Sequence, residues 1–218
     1  MVLVFDLDDT LYPECAFVQS GLRAVAAEIA PNVPEVAYSD LWRLFETQGS
    51  GRLFDQYAEK HGVTLNIPRL VSLYRNHRPN LTLPQESRAV LNKAKQRYKL
   101  AIVTDGPAQT QRNKYEALGL DAWIDYPFFT DAGQTSKPAR SAFEPVVARF
   151  GSAERYVYVG DNPAKDFDAP RAMGWLTIRL RRANGIYRDR PNTAHHEIMC
   201  LKDALPLVDA FARAGRYR

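Results

Sequence analysis

The sequence predicts an α/β protein with a Rossmann-like parallel sheet and a small all-helical domain. Two observations support this fold class. Short continuous apolar runs alternate with helix-like stretches, and continuous rather than alternating hydrophobicity is typical of parallel strands covered on both faces. In contrast, the segment 14–78 contains helical patterns with no convincing strand between them.

Four apolar runs are predicted to be buried strands of the sheet. They are residues 2–6, Leu100–Thr104, Tyr156–Gly160 and Leu176–Ile178. Five helices are predicted around them, at Pro84–Tyr98, Pro107–Leu118, Arg140–Phe150, Lys165–Met173 and Leu201–Arg213. Gly119, Gly151 and Gly174 follow three of these stretches, in positions typical of helix C-termini.

The segment 14–78 has apolar residues three and four apart, the spacing of amphipathic helices. Its four patterns cover Phe17–Ile29, Tyr38–Thr47, Arg52–His61 and Pro68–His77. We therefore expect two domains: 1–13 with 79–218 as the α/β core, and 14–78 as an inserted helical domain.

Composition and cysteine usage are those of an ordinary globular protein. Hydrophobic residues make up 45% of the chain, and no apolar run is long enough to cross a bilayer. The N-terminus lacks the basic leader and cleavage site of a secretory signal. Cys15 and Cys200 have no metal-like spacing and suit a reducing compartment. We expect a cytoplasmic protein that has no membrane partner.

Polar groups follow the predicted strands at the sheet edge where ligands bind in open α/β folds. Asp6 and Asp8 are two residues apart, so in an extended strand both side chains point to the same side. Three more groups follow later strands: Thr104-Asp105-Gly106, Lys137-Pro138, and Gly160-Asp161 with Asp166. We expect these side chains to converge on one site.

These motifs resemble, in order and spacing, the four motifs of the haloacid dehalogenase-like superfamily of phosphohydrolases. They read Asp6-Leu7-Asp8-Asp9-Thr10, Thr104-Asp105-Gly106, Lys137-Pro138 and Gly160-Asp161-Asn162-Pro163-Ala164-Lys165-Asp166. The resemblance covers the whole chain if the helical domain is that superfamily's cap. It implies a phosphatase of a small phosphate monoester, such as a sugar phosphate or a nucleoside monophosphate, that acts through an aspartyl-phosphate.

The charge balance of the motifs calls for a divalent cation. Asp6, Asp161 and Asp166 would carry three negative charges before an anionic substrate arrives, while Lys137 supplies one positive charge. All-oxygen ligands beside a phosphate favour Mg²⁺. By the resemblance, Asp6, the backbone carbonyl of Asp8 and Asp161 would hold the metal, with Asp166 as a further ligand or a partner of the ligands.

The carboxylates of the first motif are expected to have unequal roles. Asp6 is ionised at pH 7 and needs no base to act as a nucleophile. Asp8 would protonate the leaving alcohol and later deprotonate the attacking water. Because cleavage of a carbon–halogen bond needs no such acid, Asp8 favours phosphoryl transfer over dehalogenation. Asp9 is expected to shape the turn that leaves the strand.

The other motifs are expected to bind the phosphoryl group. Thr104 can donate a hydrogen bond to a phosphoryl oxygen, helped by backbone N–H groups near Asp105 and Gly106 at a helix N-terminus. Lys137 would bridge the phosphoryl oxygens and the nucleophile.

Two alternative functions stay open. A phosphomutase of the same superfamily shares every motif and differs only in where the phosphoryl group goes. A non-catalytic phosphate-binding protein on the same fold is the other, although binding alone does not need the acid Asp8. The net charge of +4 suits an anionic metabolite as well as nucleic acid. We expect a small-molecule phosphate ester as partner, no nucleic acid, and a monomer or homodimer.

Some residues outside the motifs are assigned by weaker signals. Arg52, in a loop of the helical segment, and Tyr12, after the first motif, are candidate specificity residues. The Arg-rich stretch 179–190 is expected to be a solvated rim, with binding of nucleic acid or a second phosphate as the alternative. His195-His196 is expected to be a polar loop, since adjacent residues seldom face one metal.

Overall fold

The computed structural model describes residues 1–130 and 135–214. The chain divides into two compact units: Met1–Glu14 with Thr82–Arg218, and Cys15–Leu81. We call them the α/β unit and the helical unit. The second unit thus covers residues 15–81, and the helical domain predicted from the sequence covers 14–78.

The helical unit is formed by four helices, each overlapping one of the predicted patterns. They are α1 (Glu14–Ile29), α2 (Pro34–Gln48), α3 (Leu53–His61) and α4 (Ile67–Asn76). Residues spaced three or four apart on α1 pack with residues of the other helices, and the resulting apolar cluster includes Leu22, Leu41, Phe54 and Leu70. The Asn66 side chain caps α4 by accepting from the backbone N–H of Arg69 at 3.1 Å.

The α/β unit is built on a six-stranded sheet with the order β3-β2-β1-β4-β5-β6. Its strands are β1 (Val2–Phe5), β2 (Lys99–Asp105), β3 (Tyr126–Thr130), β4 (Tyr156–Gly160), β5 (Leu176–Leu180) and β6 (His196–Ile198). Every pair of neighbouring strands is parallel. The chain moves outward from β1 on one side and then returns to start β4 on the other, so the strand order reverses beside β1. A crevice therefore opens at the carboxyl ends of β1 and β4.

The helices of the α/β unit are shorter than predicted. They are α5 (Gln85–Lys95), α6 (Ala108–Ala117), α7 (Glu144–Phe150), α8 (Asp168–Ala172) and α9 (Ala204–Ala214). Short 3₁₀ turns, Arg140–Ala142 and Leu201–Asp203, replace the first residues of two predicted helices. Helix α8 begins late because the residues before it form a tight turn, in which the Asp166 N–H donates to the Asn162 carbonyl at 3.0 Å.

Strands β3 and β6 were missed by the sequence patterns. Strand β3 contains Pro127 and is mostly half-buried, so it lacks the apolar run of the central strands. Strand β6 has three residues, of which two are exposed. The prediction of a polar loop at His195-His196 is wrong for His196, which begins β6. His195 precedes the strand in a bend, and its Nδ1 accepts from the backbone N–H of Thr177 at 3.1 Å.

The core of the α/β unit lies between the sheet and its helices. Val4 and Tyr158 of the central strands pack with Phe143, Phe167 and Trp175. Each of these side chains is at most 3% exposed, so the central sheet is closed to solvent on this face. Among the described residues, none of the helices is long and apolar enough to cross a membrane.

Candidate active site

The first motif lies immediately beyond strand β1. The strand ends at Phe5, so Asp6 and Asp8 lie in the loop that follows rather than in the extended strand assumed from the sequence. Asp9 turns the chain with a φ of +53°, and its carboxylate accepts from the backbone N–H of Glu14 at 2.9 Å. Asp9 therefore shapes the turn, as predicted.

Lys137 joins two of the predicted carboxylates in a buried ion network. Its Nζ lies 2.7 Å from Asp6 Oδ1 and 2.7 Å from Asp166 Oδ1, and 3.1 Å from the Tyr158 hydroxyl oxygen. Asp6 and Lys137 are each 5% exposed and Asp166 is fully buried. Because buried charges are costly unless paired, these distances define a cluster held together by mutual neutralisation.

Asp161 completes a group of three buried carboxylates. The carboxylate oxygens of Asp6, Asp161 and Asp166 lie within 4.8 Å of one another. Burial, with the negative charges of Asp6 and Asp166, raises the pKa of Asp161 to about 9. Burial likewise raises the pKa of Asp6 to about 7, against the opposing charge of Lys137. Ionised carboxylates thus repel one another here unless a cation is bound, and an all-oxygen donor set of this kind fits a hard divalent cation such as Mg²⁺.

A glycine makes room for this cluster at the end of β4. A Cβ atom at Gly160 would lie 2.4 Å from Asp166 Oδ2, so no larger residue fits without displacing the carboxylate. The same oxygen accepts from the backbone N–H of Asn162 at 2.9 Å. Asp166 is therefore held through both of its oxygens, one by Lys137 of the third motif and one by a backbone N–H of the fourth.

The second motif begins at the end of β2. Thr104 is 1% exposed. The Asp105 carboxylate accepts from the Thr130 hydroxyl at 2.7 Å and from the backbone N–H of Lys137 at 3.0 Å. Its side chain thereby joins β3 to the segment that carries Lys137. Gly106 has a φ of +141°, in the region that favours glycine.

Asp8 is held by residues that the sequence motifs did not include. Lys114 Nζ lies 2.9 Å from Asp8 Oδ1 and 2.8 Å from Oδ2, and Gln111 Nε2 donates to Oδ2 at 3.2 Å. The Tyr12 hydroxyl donates to Oδ1. Tyr12 is 1% exposed, so its side chain supports Asp8 instead of offering the surface expected of a specificity residue. Gln111 and Lys114 are three apart on α6 and both are buried, although their polar side chains gave no sign of burial in the sequence.

The four motifs meet at one cavity of about 170 Å³. Asp6, Thr104, Lys137 and Asp161 all line it, one residue from each motif. Tyr187 lines it as well, although the sequence placed Tyr187 only in an Arg-rich stretch of unassigned role. The structure thus brings residues of all four motifs to one cavity, whereas the predicted site residues Gly106 and Tyr12 are not part of its lining.

The Arg-rich stretch is only partly a solvated rim. Arg179 is 1% exposed and donates to the backbone carbonyl of Arg190 at 2.7 Å. Arg182 donates to the carbonyls of Asp9 at 2.8 Å and Thr10 at 2.7 Å. These two arginines hold backbone segments in place, one of them the turn of the first motif.

Arg52, the other predicted specificity residue, lies in the helical unit. It precedes α3 with a φ of +55° and pairs with Glu59 at 2.8 Å, with 70% of its side chain exposed. Its predicted role in specificity stays a prediction.

Comparison with known proteins agrees with this geometry. The family model described as haloacid dehalogenase-like hydrolase matches residues 3–180. The chain is 28% identical over 221 residues to a glyceraldehyde 3-phosphate phosphatase of Methanocaldococcus jannaschii, covering 94% of this chain and 96% of that protein. It is 28% identical over 224 residues to a phosphoserine phosphatase of Thermus thermophilus, covering 83% and 90%.

A solved structure shows the same fold. The crystal structure of YfnB from Bacillus subtilis bound to magnesium matches with a TM-score of 0.71 and 23% identity, covering 95% of this chain and 98% of that one. The predicted superfamily and fold class are thus confirmed. The chain belongs to the haloacid dehalogenase-like hydrolase family.

Proposed function

We propose that the chain is a Mg²⁺-dependent phosphatase that hydrolyses a small phosphate monoester through an aspartyl-phosphate on Asp6. The observation that carries this proposal is the buried cluster in which Lys137 contacts Asp6 and Asp166 beside Asp161. The curated relatives compared above are phosphatases by name, which supports the same reaction class.

Asp6, Asp161 and Asp166 would hold the metal through carboxylate oxygens, with the backbone carbonyl of Asp8 as the further expected ligand. When bound, Mg²⁺ supplies the positive charge that lets an anionic nucleophile and an anionic phosphoryl group approach each other. Lys137 contributes to the same balance, since its ammonium favours the ionised, nucleophilic form of Asp6.

The reaction follows in two displacements. In the first, an Asp6 oxygen forms a bond to phosphorus, the bond to the alcohol oxygen breaks, and Asp8 gives its proton to that oxygen. In the second, water attacks the same phosphorus while Asp8 takes up a proton. The bond to Asp6 then breaks and inorganic phosphate leaves. The Thr104 hydroxyl and Lys137 are proposed to bind the phosphoryl oxygens throughout.

For the substrate we propose a phosphorylated metabolite of about the size of a triose or amino-acid phosphate. The support is the pair of relatives named for glyceraldehyde 3-phosphate and phosphoserine, two small phosphate monoesters. The helical unit is proposed to act as a cap that admits only small substrates, with Arg52 as a specificity residue. An Arg52→Ala enzyme with unchanged kcat/KM on its best substrate would remove the Arg52 assignment.

The test is phosphate release by the purified chain from 4-nitrophenyl phosphate and from a panel of phosphorylated metabolites. Wild type should release phosphate with Mg²⁺ and lose this activity with a chelator, and Asp6→Asn should be inactive while still folded. Equal hydrolysis by both proteins would refute Asp6 as the nucleophile. Transfer of the phosphoryl group within a sugar, without release of phosphate, would favour the phosphomutase instead.

A further inference from the structure

A second buried lysine, Lys114, lies behind the predicted acid. It is on α6, outside the four motifs, and it is 3% exposed. Its Nζ contacts both Asp8 oxygens, at 2.9 and 2.8 Å. Asp8 lines the cavity whereas Lys114 is not among the cavity residues, so the ammonium approaches the carboxylate from the protein side.

Two further donors act on the same carboxylate. The Tyr12 hydroxyl donates to Oδ1, and Gln111 Nε2 donates to Oδ2 at 3.2 Å. Gln111 Nε2 also donates to the backbone carbonyl of Asp105 at 2.7 Å, which ties this helix to the second motif. With donors on each oxygen from two separate segments, the plane of the Asp8 carboxylate is set by its surroundings.

Stability alone gives a weak reason for this arrangement. Replacing a buried ion pair by apolar residues of similar volume is often neutral or stabilising, because burial removes both charges from water. A pair retained beside the cavity, on a group that has to meet a leaving oxygen, is better explained by orientation, since small misplacements of a catalytic group cost large factors in rate.

We propose that Lys114 is a positioning residue that orients the Asp8 carboxylate toward the leaving-group oxygen, with Tyr12 as its helper. This inference rests on the proposed function, because it takes Asp8 to be the group that protonates the leaving alcohol. Lys114 itself does not contact the substrate.

Leaving-group chemistry distinguishes this role from a purely structural one. A phenolate with strongly electron-withdrawing substituents departs without a proton, whereas an unsubstituted phenolate depends on the acid. The ratio kcat/KM reports the steps up to the first irreversible one, which includes departure of the alcohol and excludes later hydrolysis of the aspartyl-phosphate. Misplacing Asp8 should therefore lower kcat/KM most for the poorest leaving group.

The experiment uses the full chain with Mg²⁺ and three substrates: phenyl, 4-nitrophenyl and 2,4-dinitrophenyl phosphate. Lys114→Met should lower kcat/KM by about 10- to 100-fold for phenyl phosphate and by less than about 3-fold for the dinitrophenyl ester. Lys95→Met, which removes a lysine paired with Asp125 outside the site, is the matched control and should leave all three values unchanged.

A double-mutant cycle with Asp8→Asn tests whether Lys114 acts through Asp8. In the Asp8→Asn background, Lys114→Met should have no further effect on kcat/KM for phenyl phosphate. Tyr12→Phe leaves no buried charge unpaired, so it tests the same idea even if Lys114→Met fails to fold. It should give the same leaving-group pattern at about 2- to 5-fold.

Equal losses of kcat/KM across the three esters in both Lys114→Met and Tyr12→Phe would overturn the inference. So would a loss from Lys114→Met in the Asp8→Asn background as large as the loss in the wild-type background. Asp6→Asn separates this failure from failure of the proposed function. If Asp6→Asn still hydrolyses the esters, the proposed function is wrong. If it is inactive and the leaving-group pattern is absent, only the role of Lys114 is wrong.

Discussion

In the α/β unit, Lys137 pairs with Asp6 and Asp166 where all three residues are at most 5% exposed. In the helical unit, Arg23 pairs with Glu35 at a similar distance of 2.8 Å, but the two side chains are 52% and 76% exposed. Exposed pairs contribute little to stability, while a buried pair must overcome the loss of hydration of both charges. Burial rather than the number of ion pairs therefore separates the unit that carries the proposed chemistry from the unit that does not.

The apolar clusters of the two units also differ in what surrounds them. The helical unit packs Leu22, Leu41 and Leu70 among other apolar side chains. In the α/β unit, the apolar residues of strands β1 and β4 are followed directly, at the carboxyl edge of the sheet, by the carboxylates Asp6 and Asp161. Burial there has raised the pKa of Asp6 and of Asp161, a property that is common at functional sites.

The largest expected effect is that of Lys137→Met, which leaves Asp6 and Asp166 buried without their cation. We expect loss of detectable phosphatase activity and a decrease of about 3–5 kcal/mol in the free energy of unfolding without Mg²⁺. Urea denaturation measures the second quantity. Lys165→Met, at a lysine that is 47% exposed, is the control and should change stability by less than about 1 kcal/mol. A Lys137→Met protein as stable as wild type would contradict the buried network.

Gly160→Ala should have the next largest effect, because its Cβ atom would meet Asp166 Oδ2 at 2.4 Å. We expect a loss of about 1–3 kcal/mol in the free energy of unfolding, together with reduced activity. Gly51→Ala in the helical unit is the matched control, since no atom lies within 4 Å of its added Cβ. If the two substitutions have the same effect on stability, the close approach of Asp166 to Gly160 does not limit the residue at this position.

Without a divalent ion, the free energy of unfolding should depend on pH because the buried carboxylates of the site lie close together. The pKa of Asp161 rises from 3.8 to about 9 on folding, so the folded chain holds a proton that the unfolded chain releases. Asp161 should therefore lower stability as pH rises between these values, by at most about 1.4 kcal/mol per pH unit, and Asp6, whose pKa is raised to about 7, should add to the fall below that pH. Unfolding of the chelator-treated protein at pH 5 to 8 measures the slope. Asp161→Asn should make this slope smaller. An equal slope in both proteins would contradict the raised pKa of Asp161.

The smallest effect is expected for Asp40→Asn in the helical unit. Its hydrogen bond to Lys60 lowers the pKa of Asp40, against partial burial. A lowered pKa stabilises the fold above the ordinary value of 3.8 and loses this contribution as pH falls. We expect a loss of about 0.2–1 kcal/mol at pH 7 that shrinks below about pH 4, measured by thermal unfolding. A loss as large as that of Lys137→Met would show that this pair behaves as a buried one.

The central strands and the predicted site residues could be predicted because each depends on local sequence. A strand buried on both faces is a continuous apolar run, and the residues after it necessarily lie at the carboxyl edge of the sheet. The apolar pattern of the sequence therefore indicates Asp6, Thr104 and Asp161 as site residues. It failed for β6, whose three residues pair with β5 at the sheet edge and carry no apolar run.

The residues that support the site could not be found in this way. Lys114 is on α6, which packs against β2 and β3, and its partner Asp8 lies in the loop after β1, 106 residues away in sequence. Arg182 reaches the carbonyl of Asp9 across 173 residues. A lysine or arginine carries the same side chain whether solvated or buried, so its sequence position does not reveal its partner.

By itself the sequence determined the fold class, the family and the order of the four motifs, because hydrophobic periodicity and the residues at strand ends are local properties of the chain. Only the tertiary structure decided the parallel register that brings those ends together, the exposure of each charge and the lysine that each carboxylate meets. These depend on contacts between residues far apart in sequence and on burial. Burial removes the hydration of both charges, so a buried ion pair costs free energy that an exposed ion pair does not.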